Sequence, residues 1–557
     1  MFVYDVGQNF AGTCRIQVTG ERGQVLTLRY GETLNTEMMC NRDDAIGTVW
    51  TENLLSADAT DYYVLKGDSD PECFEPKFTY HGFRYLQVMG LEEPLPLEDV
   101  KGIVLSSDLE RTGSFESSNE LLNQYYRNTV WSQRSNFLDN PTDCAQRDER
   151  HGWAGDAQTF SLTASYHMDT YQFYRKYLNE LRLLQTPEGA FTDIAPAIMG
   201  GLGNNCWGDA AVVITWNLYT QYGGRHILEE NYDTLCKWMN YLVDTSDDYI
   251  RNHGGYGDHL SSEDTPAELS DTAWCAHSAE LISGMAQILG KPEDAAYYGQ
   301  VYEKYKTAWQ NAFVQEGGIT ACDTQTSYAL GLAFHLFPEE METDAAGRLN
   351  TLAEYSGYHI NAGYSGIGYI LPALSEYDLT QTAYRYLLQE SFPSLLYPVK
   401  NGATTTYESL FVYTENEDGT YQISGSMNHY AFGSSASWLY TDVLGIKSDE
   451  NDPGFHHILL EPKTGDALAY AKGSYESVYG KIKVEWRQSD YGYAFDIEIP
   501  ANTTATLTLP VPPDGRLYTE SGRPIDSTEG VQYLGNSPGK EKAEFEIVSG
   551  SYSFTVE

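Results

Sequence analysis

Residues 118–168 read SNELLNQYYRNTVWSQRSNFLDNPTDCAQRDERHGWAGDAQTFSLTASYHM. Apolar side chains recur at helical spacing over 118–136 and again over 157–168, and the change from a strand period to a helical period occurs near Ser114. The residues between the two segments are polar, charged and broken by proline and glycine. The stretch therefore predicts two helices joined by a long charged loop.

The helical period continues to residue 442 and predicts twelve helices, at 118–136, 157–168, 169–184, 208–222, 227–246, 268–289, 293–314, 325–337, 340–355, 363–376, 379–390 and 427–442. The connections within successive pairs are mostly long, at 137–156, 185–207, 247–267, 315–324, 356–362 and 391–426, while those between pairs are mostly short. Six such hairpins close into an (α/α)6 barrel with every long loop at one end. Because function concentrates on long loops held by a rigid scaffold, we expect the functional site at that end.

Short segments of alternating hydrophobicity flank the helices. CRIQVTG, VLTLRYGE and FRYLQVMG precede them, and IKVEWRQ, YAFDIEIP and TATLTLPV follow them. We therefore predict a multidomain α and β protein with an antiparallel β-sandwich over 1–112, the (α/α)6 barrel over 113–443 and a second antiparallel β-sandwich over 444–557. The first strand begins almost at the first residue, which is typical of a piece cut from a longer protein.

The charge balance excludes two classes of partner. Lysine and arginine number 35 against 79 aspartate and glutamate, for a net charge of −44. A field of that sign repels phosphate backbones and anionic lipid headgroups, so we expect no nucleic-acid and no membrane partner. The sequence leaves the oligomeric state open, a homodimer included.

The eight cysteines are scattered, with no spacing typical of a metal site or a disulfide framework. We also find no secretory signal and no apolar run long enough to span a membrane. These features predict reduced thiols and a cytoplasmic location. No metal or cofactor motif is present, so we expect neither.

The first long loop contains a candidate acid. Seven charged side chains lie within 139–156, beside the aromatic ring of Trp153. Carboxylates crowded against an aromatic face are a means of keeping one carboxyl protonated near neutral pH, and that proton can pass to a leaving group. The alternative is a solvated charged loop in which Asp156 caps the next helix.

The last long loop contains a second carboxyl, Glu408, which the surrounding small and β-branched residues place in a short hairpin. The first and last hairpins of a closed barrel are neighbours, so Glu408 and Glu149 can face one pocket. Two carboxyls flanking a pocket are what glycoside hydrolysis requires. The alternatives are a surface glutamate for Glu408 and, for the nearby His429, a core or capping histidine rather than a hydrogen-bond donor.

Other residues in or near the long loops have the chemistry of sugar binding. Trp153, Trp207 and Trp274 could each stack on a sugar ring, although aromatics at helical spacing more often pack in the core. Asp193 and Asp258 could accept hydrogen bonds from sugar hydroxyls or could instead form turns.

Several motifs resemble those of bacterial α-L-rhamnosidases, glycoside hydrolase family 78. They are QRSNFLDNPTDCAQRDERHGWAGDAQTF, NGATTTYES and SMNHYAFGS. The resemblance implies the architecture above, Glu149 as the general acid and Glu408 as the general base. It also implies inversion, with the carboxyls about 6.5–9.5 Å apart. Positions that bind the terminal sugar or hold the acid are matched by Asp143, Arg147, Asp148, Trp153, Asp156 and His429.

Several positions depart from the family pattern, and at three of them a single expected tryptophan is replaced. His259, Leu395 and Tyr407 stand where the resemblance leads us to expect tryptophan, which implies a retained mechanism in an altered pocket. We therefore expect an inverting exo-glycosidase that removes terminal α-L-rhamnose from a small glycoside or oligosaccharide. The rival hypotheses are an exo-glycosidase for another terminal sugar, a polysaccharide lyase that uses Tyr430 or His429, and a binding protein without catalysis.

Overall fold

The computed structural model describes residues 1–37, 39, 44–415, 421–489, 492–510, 517–519, 523–536 and 542–556. The chain begins with an antiparallel six-stranded sheet, built from β1 (Phe2–Val18), β2 (Val25–Gly31), β3 (Thr60–Val64), β4 (Glu72–Phe74), β5 (His81–Met89) and β6 (Val100–Val104). The strand order is β3-β2-β5-β1-β4, with β6 also paired to β1. Strand β1, at 17 residues, pairs with β4, β5 and β6, and its register with β5 shifts between Asp5 and Phe10.

Helices dominate the middle of the chain. They are α1 (Glu120–Asn136), α2 (Ala154–His167), α3 (Tyr171–Leu184), α4 (Ala210–Tyr222), α5 (His226–Asp244), α6 (Ala267–Ile288), α7 (Pro292–Phe313), α8 (Gln325–Ala333), α9 (Glu342–Tyr355), α10 (Ile370–Glu376), α11 (Thr380–Leu387) and α12 (Leu396–Lys400). The predicted segments from 118–136 to 379–390 correspond to α1–α11. The short helix α12 was not predicted and lies inside the loop 391–426.

Two predicted helices begin later than the sequence indicated. The last one, predicted at 427–442, is a 3-10 helix over Ala431–Ala436 followed by a π-helix over Leu439–Val443, so His429 precedes it. Helix α10 starts at Ile370 rather than at 363. The physical reason is that the Asp258 carboxylate accepts the backbone N–H groups of residues 363, 365 and 366, which holds this segment in a turn.

Alternate helices differ in burial. Twelve of the 14 residues of α2 are buried, against five of the 14 residues of α3. Helices α4, α6 and α8 are likewise buried on most faces, whereas α5, α7 and α9 bury mainly one side. The last hairpin packs on the first, since Thr163 donates a hydrogen bond to the Ser434 carbonyl at 2.7 Å.

Four small antiparallel pairs lie within or beside the helical region or join it to the last sheet. The pairs are β8 (Phe137–Leu138) with β9 (Asn140–Pro141), β10 (Val314–Gln315) with β11 (Ile319–Thr320), β12 (Tyr413–Glu415) with β13 (Tyr421–Ile423), and β14 (Ile446–Ser448) with β15 (His457–Leu460). The β12–β13 hairpin follows Glu408, which itself lies in the bend before it. Residues 416–420, between β12 and β13 in the sequence, lie outside the described residues.

A nine-stranded sheet closes the chain. It contains β14, β15, β16 (Tyr470–Ser477), β17 (Gly480–Ser489), β18 (Gly492–Pro510), β19 (Leu517–Thr519), β20 (Val531–Asn536), β21 (Lys542–Val556) and the earlier strand β7 (Gly113–Ser117). Strands β15 and β18 are parallel, so the prediction of a purely antiparallel sheet is wrong at this pair. Strand β7 pairs with β16, although the predicted boundary at 112 groups it with the helices.

Local sequence explains several helix ends. Asn119 caps α1 by accepting the Leu122 N–H, Pro292 occupies the first turn of α7, and Gly223 ends α4 at a positive φ of 74°. The seven described cysteines are free thiols, and Cys40 lies outside the described residues. Within the described part of the chain, none of the helices combines the length and the apolar character that crossing a membrane requires.

Candidate active site

One pocket collects most of the predicted site residues. Its lining consists of Asp143, Arg147, Glu149, Trp153, Asp156, Trp207, Tyr256, His259, Tyr364, Glu408 and His429. Ten of them come from the loops that precede α2, α4, α6, α10 and the last helix, and Asp156 lies in the first turn of α2. The pocket volume of about 210 Å³ is below the range of drug-sized sites, at roughly 300–1,000 Å³, and suits a single sugar ring.

Arg147 joins the two candidate catalytic carboxyls. Its Nη1 and Nη2 donate to Oε2 and Oε1 of Glu408 at 2.9 and 3.1 Å. The same Nη2 lies 2.8 Å from Oε2 of Glu149. These two carboxylate oxygens are therefore at most about 6 Å apart, which is closer than the separation of about 6.5–9.5 Å that the resemblance predicted for the two carboxyls.

Glu408 is held as a carboxylate. Burial alone would raise the pKa of Glu408, but His429, Arg147 and the backbone N–H of Ser426 together lower it to about 2. The Ser426 N–H donates to Oε2 at 2.6 Å. Because burial lowers the pKa of His429 to about 4, that histidine is neutral at pH 7 and Arg147 is the cation that keeps Glu408 ionised.

Glu149 sits at the more open side of the pocket, where 24% of its side chain is exposed. Trp153 donates its Nε1–H to Oε1 at 2.8 Å, so the indole and Arg147 each hold one carboxyl oxygen. Asp143 lies beside the same nitrogen, with Oδ2 at 3.5 Å from Nη2. Two held oxygens fix the direction in which Glu149 can present a proton.

Two further aspartates are deeply buried beside this pair. Burial and the charge of Glu149 raise the pKa of Asp143, whose Oδ1 accepts the His151 N–H at 2.7 Å. Burial and the charge of Asp143 raise the pKa of Asp156, whose Oδ1 lies 3.2 Å from Nε2 of His429. A cluster of carboxyls around one arginine favours the neutral form of at least some of them.

Aromatic rings form the opposite wall. Trp207 lies 4.5 Å from Tyr256 and 6.2 Å from Tyr364, measured between ring centroids, and His259 meets Tyr364 edge to face at 5.3 Å. The sequence had identified Trp207 as a candidate and His259 as a departure, but Tyr256 and Tyr364 were missed. Both tyrosines lie between glycines or next to one in GGYGDHL and AGYSGIGY, in loops that precede inner helices, and that position is the signal that could have found them.

Two of the candidate sugar-binding residues, Asp148 and Asp258, do not line this pocket. Asp148 turns toward the first sheet and accepts hydrogen bonds from the backbone and hydroxyl of Ser56. Asp258 is buried and its oxygens are occupied by Thr326 and by the backbone of residues 363–366. Its role is to shape the loop that carries Tyr364.

The other candidates also lie elsewhere. Trp274 is fully buried against Phe334, and Asp193 accepts a hydrogen bond from Asn204 at 2.7 Å. Leu395 and Tyr407 are buried and do not line the pocket, so of the three departures only His259 changes its wall.

Asp143, Cys144 and Glu149 place potential metal-ligand atoms within 4.8 Å of one another. Arg147 lies against both carboxylates, at 3.5 and 2.8 Å, and its charge opposes a second cation there. Burial raises the pKa of the Cys144 thiol well above its usual range, which keeps it protonated and makes it a poor ligand. This group is better described as part of the carboxyl cluster.

Family models match the chain in three consecutive parts. Residues 1–106 match the bacterial α-L-rhamnosidase concanavalin-like domain, residues 110–443 the bacterial α-L-rhamnosidase six-hairpin glycosidase domain, and residues 445–523 the bacterial α-L-rhamnosidase C-terminal domain.

Individual relatives agree with these models. An α-L-rhamnosidase of Streptomyces avermitilis is 38% identical over all of this chain and 52% of its own length, and one of Formosa agariphila is 33% identical over 99% of this chain and 59% of its own. This chain thus spans little more than half the length of these curated relatives.

Solved structures give the same result. A crystal structure of the Streptomyces avermitilis enzyme complexed with L-rhamnose superposes with a TM-score of 0.90, covering 100% of this chain and 52% of that one at 38% identity. The α-L-rhamnosidase from Dictyoglumus thermophilum also gives 0.90, covering 100% and 61% at 32% identity. The chain belongs to the bacterial α-L-rhamnosidase family of six-hairpin glycosidases.

Proposed function

We propose that this protein hydrolyses terminal α-L-rhamnosides, with Glu149 as the general acid and Glu408 as the general base. The observation that carries the proposal is Arg147, which holds both carboxyls at one small pocket and keeps Glu408 ionised. Family membership supports the choice of sugar. The Streptomyces avermitilis relative is an α-L-rhamnosidase whose crystal structure is complexed with L-rhamnose.

The proposed reaction is a single displacement. Glu408 accepts a proton from a water molecule as that water attacks the anomeric carbon, and the bond to the leaving group breaks on the opposite face. Glu149 gives its proton to the leaving oxygen, so the products are the free sugar and the aglycone with a hydroxyl group. Inversion of configuration follows from this scheme and is implied by the family resemblance.

The pocket supports an exo-acting enzyme and a small glycoside or oligosaccharide substrate. One ring fills a volume of about 210 Å³, and Trp207 and Tyr364 offer near-parallel faces, inclined by 19°, on which the apolar face of a sugar can pack. Asp143, Asp156 and His429 supply polar atoms for its hydroxyls. The aglycone then extends past Glu149 into solvent.

We also propose the architecture that the loop pattern predicts. The alternation between fully buried and one-sided helices, together with the Thr163–Ser434 contact between the first and last hairpins, supports a closed (α/α)6 barrel over 113–443. Two sheet domains, over 1–112 and 444–557, flank it as β-sandwiches.

The direct test is hydrolysis of p-nitrophenyl α-L-rhamnopyranoside by wild type, Glu149→Gln and Glu408→Gln. Each substitution keeps the side-chain size and removes the acid or base, so we expect release by wild type and a loss of at least about 10²-fold in either variant. A folded Glu149→Gln variant that keeps half the wild-type rate would contradict the assignment of the acid.

The alternative function is hydrolysis of a different terminal sugar, because His259 replaces an expected tryptophan in the pocket wall. A panel of p-nitrophenyl glycosides tests it alongside the rhamnoside. Proton NMR of the first-formed product anomer tests inversion, and the appearance of the retained anomer would contradict the single displacement.

A further inference from the structure

Glu32 is a buried glutamate of the N-terminal region that the catalytic scheme does not use. It follows strand β2 and only 3% of its surface is exposed. Its oxygens accept three hydrogen bonds, each of 2.9 Å, from Nδ2 of Asn9, Nδ2 of Asn53 and the backbone N–H of Met427. The first two donors belong to the same region as Glu32, but Met427 belongs to the segment that follows the β12–β13 hairpin.

Met427 is the neighbour of Ser426, whose backbone N–H donates to Glu408 at 2.6 Å. Two consecutive amides are therefore held by two carboxylates, one from the candidate general base and one from the first sheet region. Other contacts strengthen this junction. Asn9 N–H donates to Thr404 Oγ1 at 2.9 Å, and Glu408 N–H donates to the Ser426 carbonyl at 3.0 Å.

We propose that Glu32 is a positioning residue for the general base: it fixes the Ser426–Met427 backbone and thereby sets where the Glu408 carboxylate stands in the pocket. The inference rests on the proposed function. It deepens that function by making the N-terminal sheet region a part of the catalytic apparatus rather than only a neighbour of it.

The chemistry of the contacts fits this role. All three partners of Glu32 donate, so they require accepting oxygens and cannot be satisfied by an apolar side chain. Burial raises the pKa of Glu32 to about 7, although the Met427 N–H, Asn9 and Arg147 oppose that rise. Glu32 does not line the pocket, so its replacement removes no group that lines the sugar site.

A positioning role predicts a fall in kcat without a matching change in KM. Displacing a reacting group by about 1 Å can cost about 10²-fold in rate. In hydrolysis of p-nitrophenyl α-L-rhamnopyranoside we therefore expect Glu32→Leu to lower kcat by about tenfold to a hundredfold, with KM within about twofold of wild type. Rates are normalised to binding-competent protein, counted by calorimetric titration with L-rhamnose.

Conservative variants separate this role from a loss of stability. Oδ1 of Asn9 has no hydrogen-bond partner among the described residues, so rotation of that amide lets Glu32→Gln keep its oxygen on Met427, and we expect it to retain most of kcat. Glu32→Asp keeps the charge but withdraws it by one methylene, so we expect an intermediate kcat. It also serves as the test if Glu32→Leu does not fold.

Glu72 supplies the matched control. It is another buried glutamate of the same region, 4% exposed, and it accepts the backbone N–H groups of Lys66 and Gly67, far from the catalytic loop in sequence and without contact to the pocket. Glu72→Leu should lose stability while keeping kcat. Three outcomes would overturn the proposal. The first is an equal loss of kcat in Glu72→Leu and Glu32→Leu, and the second is a wild-type kcat in Glu32→Leu. The third is an equal loss of kcat in Glu32→Gln and Glu32→Leu.

Failure of the proposed function is seen separately. If wild type does not hydrolyse the rhamnoside, the function is wrong, and the crystal structure of Glu32→Leu still tests the positioning role. Displacement of Ser426, Met427 and the Glu408 carboxylate from their wild-type places supports it. An unmoved Glu408 carboxylate contradicts it.

Discussion

Trp153 donates its indole N–H to Glu149 at 2.8 Å, four residues back along the same loop. Because this bond and the Arg147 contact hold the two oxygens separately, the indole determines the direction of the carboxyl. Trp153→Phe keeps a ring in the pocket and removes the donor. We expect kcat/KM for the p-nitrophenyl rhamnoside to fall by about tenfold, the worth of roughly one hydrogen bond to a charged group.

A double-mutant cycle checks that this loss acts through Glu149. In the Glu149→Gln background the same Trp153→Phe change should cost much less, since the two residues act as one unit. Additive losses would instead assign the effect of Trp153 to sugar stacking.

Removal of Arg147 should move the pH profile. Glu408 has a lowered pKa of about 2 and works as a base only when ionised, so the acid limb of the kcat/KM profile lies well below neutrality in wild type. Without the arginine charge the pKa of Glu408 rises, and in Arg147→Met we expect the acid limb to shift to higher pH with a rate loss of at least about 10²-fold.

Arg150 is the control for that experiment, because it lies in the same loop but donates to the Tyr80 carbonyl and stacks on its ring at 4.1 Å. Arg150→Met should keep the acid limb of wild type. An unchanged limb in a folded Arg147→Met variant would show that another group holds Glu408 ionised.

Ionisation of the buried Asp156 should lower the free energy of unfolding as pH rises above the acidic range. Burial raises its pKa, so the folded state holds the proton more tightly than the unfolded state does, and stability falls as pH rises from the ordinary value toward the raised one. Asp156→Asn removes this loss while keeping an acceptor for His429. At pH 7 we expect a higher Tm together with lower activity, the trade-off typical of active sites.

Asp209 makes the contrast. Its pKa is also raised by burial, yet it accepts hydrogen bonds from Ser278, Trp238, Asn205 and the Cys206 backbone. Asp209→Asn places a donor against this set of donors and should lower Tm. Thermal melts of the two variants from pH 4 to pH 8 give the comparison, and a lower Tm for Asp156→Asn at pH 7 would contradict the reasoning.

Asp258 should affect sugar binding indirectly. Its carboxylate accepts three backbone N–H groups from residues 363–366, the turn that presents Tyr364 to the pocket. Asp258→Ala leaves these donors unpaired, at about 1–3 kcal/mol each, so we expect a lower Tm and a KM raised more than kcat is lowered. Steady-state kinetics test this, with Asp496→Ala in the last sheet as a control that should keep the wild-type KM.

The helices and the two carboxyls could be predicted because their signals are local. Helical periodicity and loop length identify α1–α11, and Glu149 and Glu408 share a pocket through loop parity. Asp148 could not be placed from sequence, because the direction of its side chain in a glycine-broken loop depends on Ser56, which lies in a turn of the N-terminal region. The sequence around Glu32 gives no signal of its proposed role, because that role depends on a hydrogen bond from Met427, which is distant in sequence.

Contacts with distant residues also delay the starts of α10 and of the last helix. Asp258 accepts the amides that would begin α10, and Glu32 and the Thr406 carbonyl accept the amides of Met427 and His429, where the last helix was predicted to begin. Periodicity within a segment carries no information about such contacts. The strand β7 was likewise hidden, because its partner β16 lies at the other end of the chain.

Strand β7 can form its sheet only after the C-terminal region has been synthesised. Residues 113–117 are synthesised long before residues 470–477, which form their partner strand β16. Strand β7 therefore has no partner strand while the helical region is synthesised. During that time the Phe115 side chain, 7% exposed in the folded protein, lacks the contacts that bury it. A fragment that ends before β16 leaves β7 without a partner strand. The last sheet expressed without β7 exposes the edge of β16, where another chain can pair with it. Strand β7 therefore ties the helical region to the last sheet, and we expect truncation at the predicted boundary between 443 and 444 to leave an unpaired strand edge that promotes aggregation.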